Sequence, residues 1–268
     1  MLTVDILFSG SGGNCTLIRS GASAILVDCG KSAKTICSSL LSVGCRIEDI
    51  SAVFITHEHT DHISALDTMV SKYKIPVHIT EKSATRAAKC RNISLAVTHP
   101  TYYSERVGDL LVESFPLPHD SADHVGYVIT SDDGDTFCVA TDIGHITEEV
   151  CAALKRCRRA MVESNHDVEM LKYGRYPYYL KLRILSPKGH LSNEDAASLI
   201  CGAADSGCEA FALAHISAEN NDPDLAYSEI RRALDSSGHP DSALVVADAS
   251  YPVRVPEGLL SRTEAKSC

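Results

Sequence analysis

Three histidines and an aspartate fall within six residues, in the stretch His57-Glu58-His59-Thr60-Asp61-His62. Neutral imidazoles and carboxylates are the ligand types that suit zinc, manganese or iron. The apolar run at residues 52–55 reads as a strand ending just before them. A loop leaving a strand can aim neighbouring side chains at one point. His57 and His59 can share a face there, with Asp61 and His62 turned toward a second point. The alternative is a polar surface loop, and so dense a set of ligand-type side chains argues against it. A zincin helix needs H-E-x-x-H. The position of its second histidine is Asp61 here, so that motif fails.

The 268 residues hold 12 His and 11 Cys but no Trp. An odd thiol count with no C-x-x-C pair argues against a disulfide framework and against a structural zinc cluster. Free, mostly buried thiols in a reducing cytoplasm are the expectation. There are 35 acidic and 25 basic side chains, a net charge of −10. That weighs against a passive nucleic-acid coat. It does not exclude a nuclease, since bound cations and local basic patches reverse the field at a site. A hydrophobic content of 44% and a charged content of 22% are those of a globular protein. No apolar run approaches about 18 residues, so no membrane span is expected. The first residues carry no basic region and do not read as a signal peptide.

The elements that must position these residues are short. Residues 2–8, 15–18, 24–27 and 52–55 read as strands, apolar and bounded by Gly, Ser or Asp. Residues 36–43 read as a helix stopped by Gly44. The second half predicts strands at 110–115, 125–130, 137–140, 160–163, 211–214 and 243–246, and helices at 147–154, 192–204 and 222–234. Asp132-Asp133-Gly134 predicts a hairpin turn. Ser192 is expected to cap its helix, with Asp195 completing an imperfect capping box. Two β-rich halves with helices between them imply one α/β domain over residues 1–268, with helices packed outside paired sheets. A tail from about residue 257 is expected to be disordered.

H-x-H-x-D-H after a strand resembles the signature of the metallo-β-lactamase fold. That family's other motifs follow in order. Val27-Asp28-Cys29-Gly30 resembles its early Asp motif, and His119 in Leu117-Pro118-His119-Asp120 its third-motif histidine. Asp142 in Ala140-Thr141-Asp142 resembles its bridging aspartate, and His215 in Leu213-Ala214-His215 its last ligand. The resemblance runs over about residues 2–250. It implies an αββα sandwich of two mixed β-sheets flanked by helices. It also implies two divalent metal ions, zinc or manganese, with iron also suited. One would be held by His57, His59, His119 and Asp142, the other by Asp61, His62, Asp142 and His215. Asp28 would fix the loop and a ligand imidazole. Taken alone it is equally a turn-forming aspartate before Gly30. Oxygen-reducing diiron members carry Glu where His59 stands, so His59 favours hydrolysis over redox chemistry.

Several segments resemble the YycJ/WalJ branch of the fold, described as exonuclease-like and acting 5′ to 3′ on duplex DNA. They are the glycine loop Phe8-Ser9-Gly10-Ser11-Gly12-Gly13-Asn14, the stretch Glu163-Ser164-Asn165-His166-Asp167, and residues 189–197 and 215–221. His190 reads as a substrate-side histidine able to meet a phosphate oxygen or protonate a leaving group, or as a helix-flanking residue. Ser192 as a cap leaves backbone N–H groups for phosphate. The glycine loop either brings Ser11 and Asn14 near the metals or is a tight turn; it matches no nucleotide-binding motif. His166 and Asp167 either support the site or form a buried structural pair. His124 and His145 carry no assigned role, and His78, His99 and His239 read as structural or surface residues.

Residues 170–193 carry Lys172, Arg175, Lys181, Arg183 and Lys188, four of the ten tyrosines, and no acid. Cations for phosphate and rings for exposed bases make a nucleic-acid contact strip. The alternative is a solvated helix face with core tyrosines. The expected activity is dinuclear-metal-dependent phosphodiester hydrolysis, as a cytoplasmic DNA exonuclease. Two metals about 3.5–4 Å apart would share a hydroxide nucleophile. Asp61 or Asp142 would steer its proton, and His190 would serve the leaving group. A small-molecule esterase or cyclic phosphodiesterase would use the same ligands without needing the strip. A non-catalytic, metal-dependent binding module would show affinity without turnover.

Overall fold

The computed structural model describes residues 1–87 and 90–259. By its internal contacts the chain divides into two compact units that alternate in sequence. The first is Met1–Pro116, Ser121–Asp135 and Asp248–Arg254; the second is Leu117–Asp120, Thr136–Ala247 and the chain from Val255. The tail expected to be disordered lies, from residue 260 on, outside the described residues. The strands belong to two mixed β-sheets.

In the first unit the strands are β1 (Thr3–Phe8), β2 (Cys15–Ser20), β3 (Ser23–Val27), β4 (Ala52–Phe54), β5 (Val77–Thr80), β6 (Val97–His99), β7 (Ser104–Val107), β8 (Leu110–Pro116) and β9 (Val125–Ser131). Near the end of the chain β14 (Val253–Arg254) joins them, giving a sheet of order β14-β1-β2-β3-β4-β5-β6. β1 to β3 run antiparallel, and β3 to β6 run parallel. β7, β8 and β9 form an antiparallel meander. The core of this unit joins Leu7, Leu17, Leu26, Val53 and Val77 of the sheet to Ile36 and Leu40 of helix α1 (Ala33–Ser42). That helix starts three residues earlier than its apolar pattern, because Ser32 caps it by accepting from Thr35 N at 3.2 Å. Parallel pairing sets Val27 opposite Phe54. The residues leaving β3 and β4 therefore emerge together at one sheet edge.

Strands β5, β6 and β7 have no counterpart in the sequence reading. They are three or four residues long, and β6 and β7 are only partly buried. Runs that short have no periodicity to read, and pairing with neighbours makes them strands.

In the second unit β10 (Thr136–Ala140), β11 (Arg159–Glu163), β12 (Ala210–Ala214) and β13 (Ala243–Val246) pair in parallel. Every residue of β11 and β12 is buried, which explains the unalternated apolar character of β12 and of the centre of β11. The register sets Ala140 opposite Val162, and Glu163 opposite Ala214. Ligand chemistry gathers at such carboxyl edges of parallel strands. Among the described residues, ten cysteines are free and six of them are buried. No helix among them is long and apolar enough to cross a membrane.

Candidate active site

In the first unit, the chain leaves β4 through Thr56 and His57 and enters the single-turn helix α2 (Thr60–Ile63), whose cap residue is His59. His62 N donates to His59 O at 2.9 Å, so the turn brings the histidines to one side. The His57 ring lies 4.5 Å from His59 and 4.1 Å from His62, centroid to centroid, and both His57 and His62 are fully buried. Asp28 takes a left-handed conformation (φ 62°) on leaving β3. Its carboxylate accepts from Thr56 N at 2.8 Å and from Thr56 Oγ1, and it holds His62 Nδ1 at 2.8 Å. Nδ1–H donation to Asp28 leaves the lone pair of His62 on Nε2, the form a metal ligand needs. Burial raises the Asp28 pKa, and the His62 and Thr56 contacts oppose that rise.

Asn14 ties the glycine loop to this edge. Its Nδ2 lies 3.0 Å from His62 Nε2 and 3.4 Å from Asp61 Oδ2, and its backbone N donates to Asp61 O at 2.8 Å. Ser11 stands exposed at the loop tip. A Cβ at Gly30 would sit 1.6 Å from Asp61 O, so only glycine lets the 29–31 turn pass so close to the ligand loop. His124, left without a role in the sequence, packs its ring 4.5 Å from His57.

In the second unit, Asp142 and His215 follow β10 and β12 with φ 59° and 54°. Left-handed backbone costs a non-glycine residue on the order of 1–3 kcal/mol and gathers where geometry serves a site. Asp142 Oδ1 lies 3.5 Å from His215 Nδ1 and 4.0 Å from His119 Nε2. His119 Nδ1 faces Gly189 O at 3.2 Å, which turns Nε2 toward Asp142. Burial depresses the His119 pKa, which favours the neutral imidazole that a ligand needs.

Glu163, absent from the sequence reading as a functional residue, organises this half. It is fully buried at the end of β11. Its Oε1 accepts from His190 Nδ1 at 2.7 Å and His215 Nδ1 at 3.0 Å. Its Oε2 accepts from Ile143 N at 2.7 Å and Leu191 N at 3.1 Å. Burial would raise its pKa, but the charge and hydrogen bonds of His190 and the hydrogen bond of His215 prevail, and it falls to about 2. The same ion pair outweighs burial at His190 and raises its pKa. Donor atoms of Asp142, Glu163, His190 and His215 all lie within 4.8 Å of one another. An acid closing a fully buried strand was the available signal, because a buried charge must be paired.

The remaining expected residues have visible structural work. Ser192 Oγ accepts from Asp195 N at 3.1 Å and contacts Asp195 Oδ2 at 2.9 Å, capping helix α8 (Asn193–Ala204). His166 is buried and bridges to Ser192 through its backbone, and Asp167 Oδ1 accepts from Met170 N at 2.7 Å as a helix cap. Lys172 pairs with Glu169 at 3.2 Å, and Lys181 Nζ donates to Lys172 O and Gly174 O at 2.7 Å each. Arg175 is exposed.

Residues 9–188 match the family model described as the metallo-beta-lactamase superfamily. The chain belongs to the metallo-β-lactamase superfamily. Its fold is that family's, two mixed sheets flanked by helices. It is 34% identical over 241 residues to exodeoxyribonuclease YycJ of Bacillus anthracis, covering 88% of this chain and 90% of that protein. It is likewise 34% identical over 228 residues to exodeoxyribonuclease WalJ of Streptococcus pneumoniae, covering 83% and 84%. Among solved structures, the metallo-β-lactamase-fold protein YhfI of Bacillus subtilis superposes with a TM-score of 0.71 at 16% identity, over 94% of this chain and 99% of that one, a likeness of fold. Family and relatives make this metallo-β-lactamase-fold chain a metal-dependent hydrolase. Its two His/Asp clusters are compatible with divalent ions: within each unit, a buried carboxylate holds the Nδ1 of a candidate ligand imidazole.

Proposed function

We propose that this protein is a dinuclear metal-dependent phosphodiester hydrolase acting on DNA as an exonuclease. The observation that carries the reading is the 34% identity to an exodeoxyribonuclease over 88% of this chain and 90% of the relative. His57, His59, His119 and Asp142 are proposed to hold one ion, and Asp61, His62, Asp142 and His215 the other. This assignment rests on family membership and on the geometry within each unit. Bound divalent ions supply a nucleophilic water at neutral pH and neutralise charge on the phosphate.

The chain's own groups supply the rest. Asp61 and Asp142 are carboxylates able to take the attacking water's proton. His190, with Nδ1 held by Glu163 at 2.7 Å, presents Nε2 to the leaving oxygen. Its raised pKa suits a proton donor. Asp28 orients His62, while His166 and Asp167 brace the chain beside Glu163 through backbone pairing and a helix cap. Lys172 and Arg175 are proposed as phosphate contacts. Ser11 and Asn14 would act from the glycine loop, Lys181 and Ser192 through the helix ends they hold. The ten free thiols among the described residues support a reducing, cytoplasmic location.

The test is cleavage of end-labelled duplex DNA, single-stranded DNA and bis-p-nitrophenyl phosphate, with zinc and manganese supplied separately. Processive shortening of labelled DNA is expected. Hydrolysis of the small diester alone would instead identify a small-molecule esterase or phosphodiesterase. DNA binding without turnover under either metal would identify a binding module.

A further inference from the structure

Two short helices, α6 (Val168–Tyr173) and α7 (Tyr178–Ile184), lie between β11 and α8. Leu171 and Ile184 anchor them in the core. The outer side is unusual for a protein of net charge −10. Tyr173, Tyr178 and Tyr179 are 84%, 75% and 73% exposed. Leu182 and Leu185 add about half-exposed apolar surface beside them. Three rings left in water within seven residues mark an interaction surface rather than a core. Residues 170–193 contain five cations and no acid; Lys172 is paired with Glu169 and Arg183 with Asp120 from outside that stretch, leaving an excess of positive charge on it. Among the described residues the side chains of Arg175 and Lys188 form no ion pair, so their charge is available.

The segment is fixed to the candidate site of its own unit. Arg183 is ion-paired with Asp120, next to His119. His190 N donates to Ile184 O at 3.1 Å, and His119 Nδ1 faces Gly189 O at 3.2 Å. A Cβ at Gly189 would lie 1.9 Å from Ile184 O, so glycine is required where α7 turns into the loop carrying His190.

Cations recognise the phosphates of any nucleic acid. Rings need the face of a base, which duplex stacking hides and an unpaired strand exposes. We infer that Tyr173, Tyr178 and Tyr179 form a stacking platform for unpaired bases, so that the preferred substrate carries a single-stranded tail or a frayed end. The inference rests on the phosphodiesterase reading above and adds the class of DNA end to it.

The test compares two oligomers of about 12 nucleotides with identical phosphates, one of thymidine and one abasic, by fluorescence anisotropy. The wild-type protein is expected to bind the thymidine oligomer about tenfold or more tightly than the abasic one. The triple variant Tyr173→Ser, Tyr178→Ser, Tyr179→Ser is expected to lose that difference and keep its abasic affinity. Circular dichroism checks its fold, and the three single variants, each losing part of the difference, guard against a misfolded triple. Equal wild-type affinity for the two oligomers overturns the inference. So does a triple variant that keeps the difference. Binding to phosphatidylserine vesicles that vanishes in the triple variant, with oligomer discrimination intact, would reassign the surface to lipid and also overturn it. The binding arms need no turnover. Failure of the nuclease reading would show as uncleaved DNA with base preference intact; failure of the platform would show as cleavage without base preference.

Discussion

Glu163→Gln is the most informative single substitution. The side chain keeps its shape but exchanges one acceptor oxygen for an NH2 donor. Four donors converge on the carboxylate: His190 and His215 on Oε1, and Ile143 and Leu191 backbone N–H on Oε2. The backbone donors cannot change, so the amide oxygen must serve them and the NH2 must face the two imidazoles. Each hydrogen bond to a charged group contributes about 1.5–3 kcal/mol, so two lost bonds cost about 3–6 kcal/mol. Burying an ion also costs several kcal/mol, and removing the charge returns part of that. The expected net destabilisation is about 1–3 kcal/mol. The larger effect is chemical. To accept from the amide, His215 must move its proton from Nδ1 to Nε2, the nitrogen proposed to bind metal. Loss of such a partner lowers metal affinity about 10- to 100-fold. Competition with a chromogenic chelator measures that affinity, and urea unfolding measures the stability. A variant with wild-type metal affinity and turnover would refute the tautomer argument even if it melted earlier.

His59→Ala and Asp142→Ala should each abolish hydrolysis of end-labelled DNA with circular dichroism unchanged; full turnover in either would sink the two-metal assignment. Gly30→Ala drives a methyl group into Asp61 O, at a nominal 1.6 Å, and should cost about 1–3 kcal/mol as overpacking together with much of the metal affinity. Unfolding and metal titration of that variant check both, and an unperturbed protein would contradict the close approach. His78 is buried between Phe54 and His99, and burial, then the His99 charge, push its pKa from 6.5 down to about 4. It is neutral in the fold while the unfolded chain takes up a proton, so stability should fall as pH drops through that window, by on the order of 3 kcal/mol. Urea midpoints at the two ends should differ less in His78→Gln than in the wild type, and equal slopes would remove His78 as the cause.

The ligand types of the candidate site are legible in the sequence. His57, His59, Asp61 and His62 crowd one loop, and crowding of ligand types is a one-dimensional property. The motifs around Asp28, His119, Asp142 and His215 keep, in order along the chain, the pattern of the family they resemble. Strands such as β12 and the centre of β11 were readable because burial on every side leaves a short apolar run. Glu163 was not readable as a hub, since its four donors come from residues 143, 190, 191 and 215, distant in sequence and level only through parallel register. Nor was the structural work of Lys181, whose charge pointed toward substrate but which holds a helix end; the cap made by Ser192, by contrast, is the one its spacing to Asp195 predicts. Tertiary structure alone decided the left-handed turns at Asp28, Asp142 and His215. Composition lists which groups can bind a metal. Which nitrogen of each imidazole carries the proton depends on what lies against the other nitrogen, and only the packed strand edges supply that.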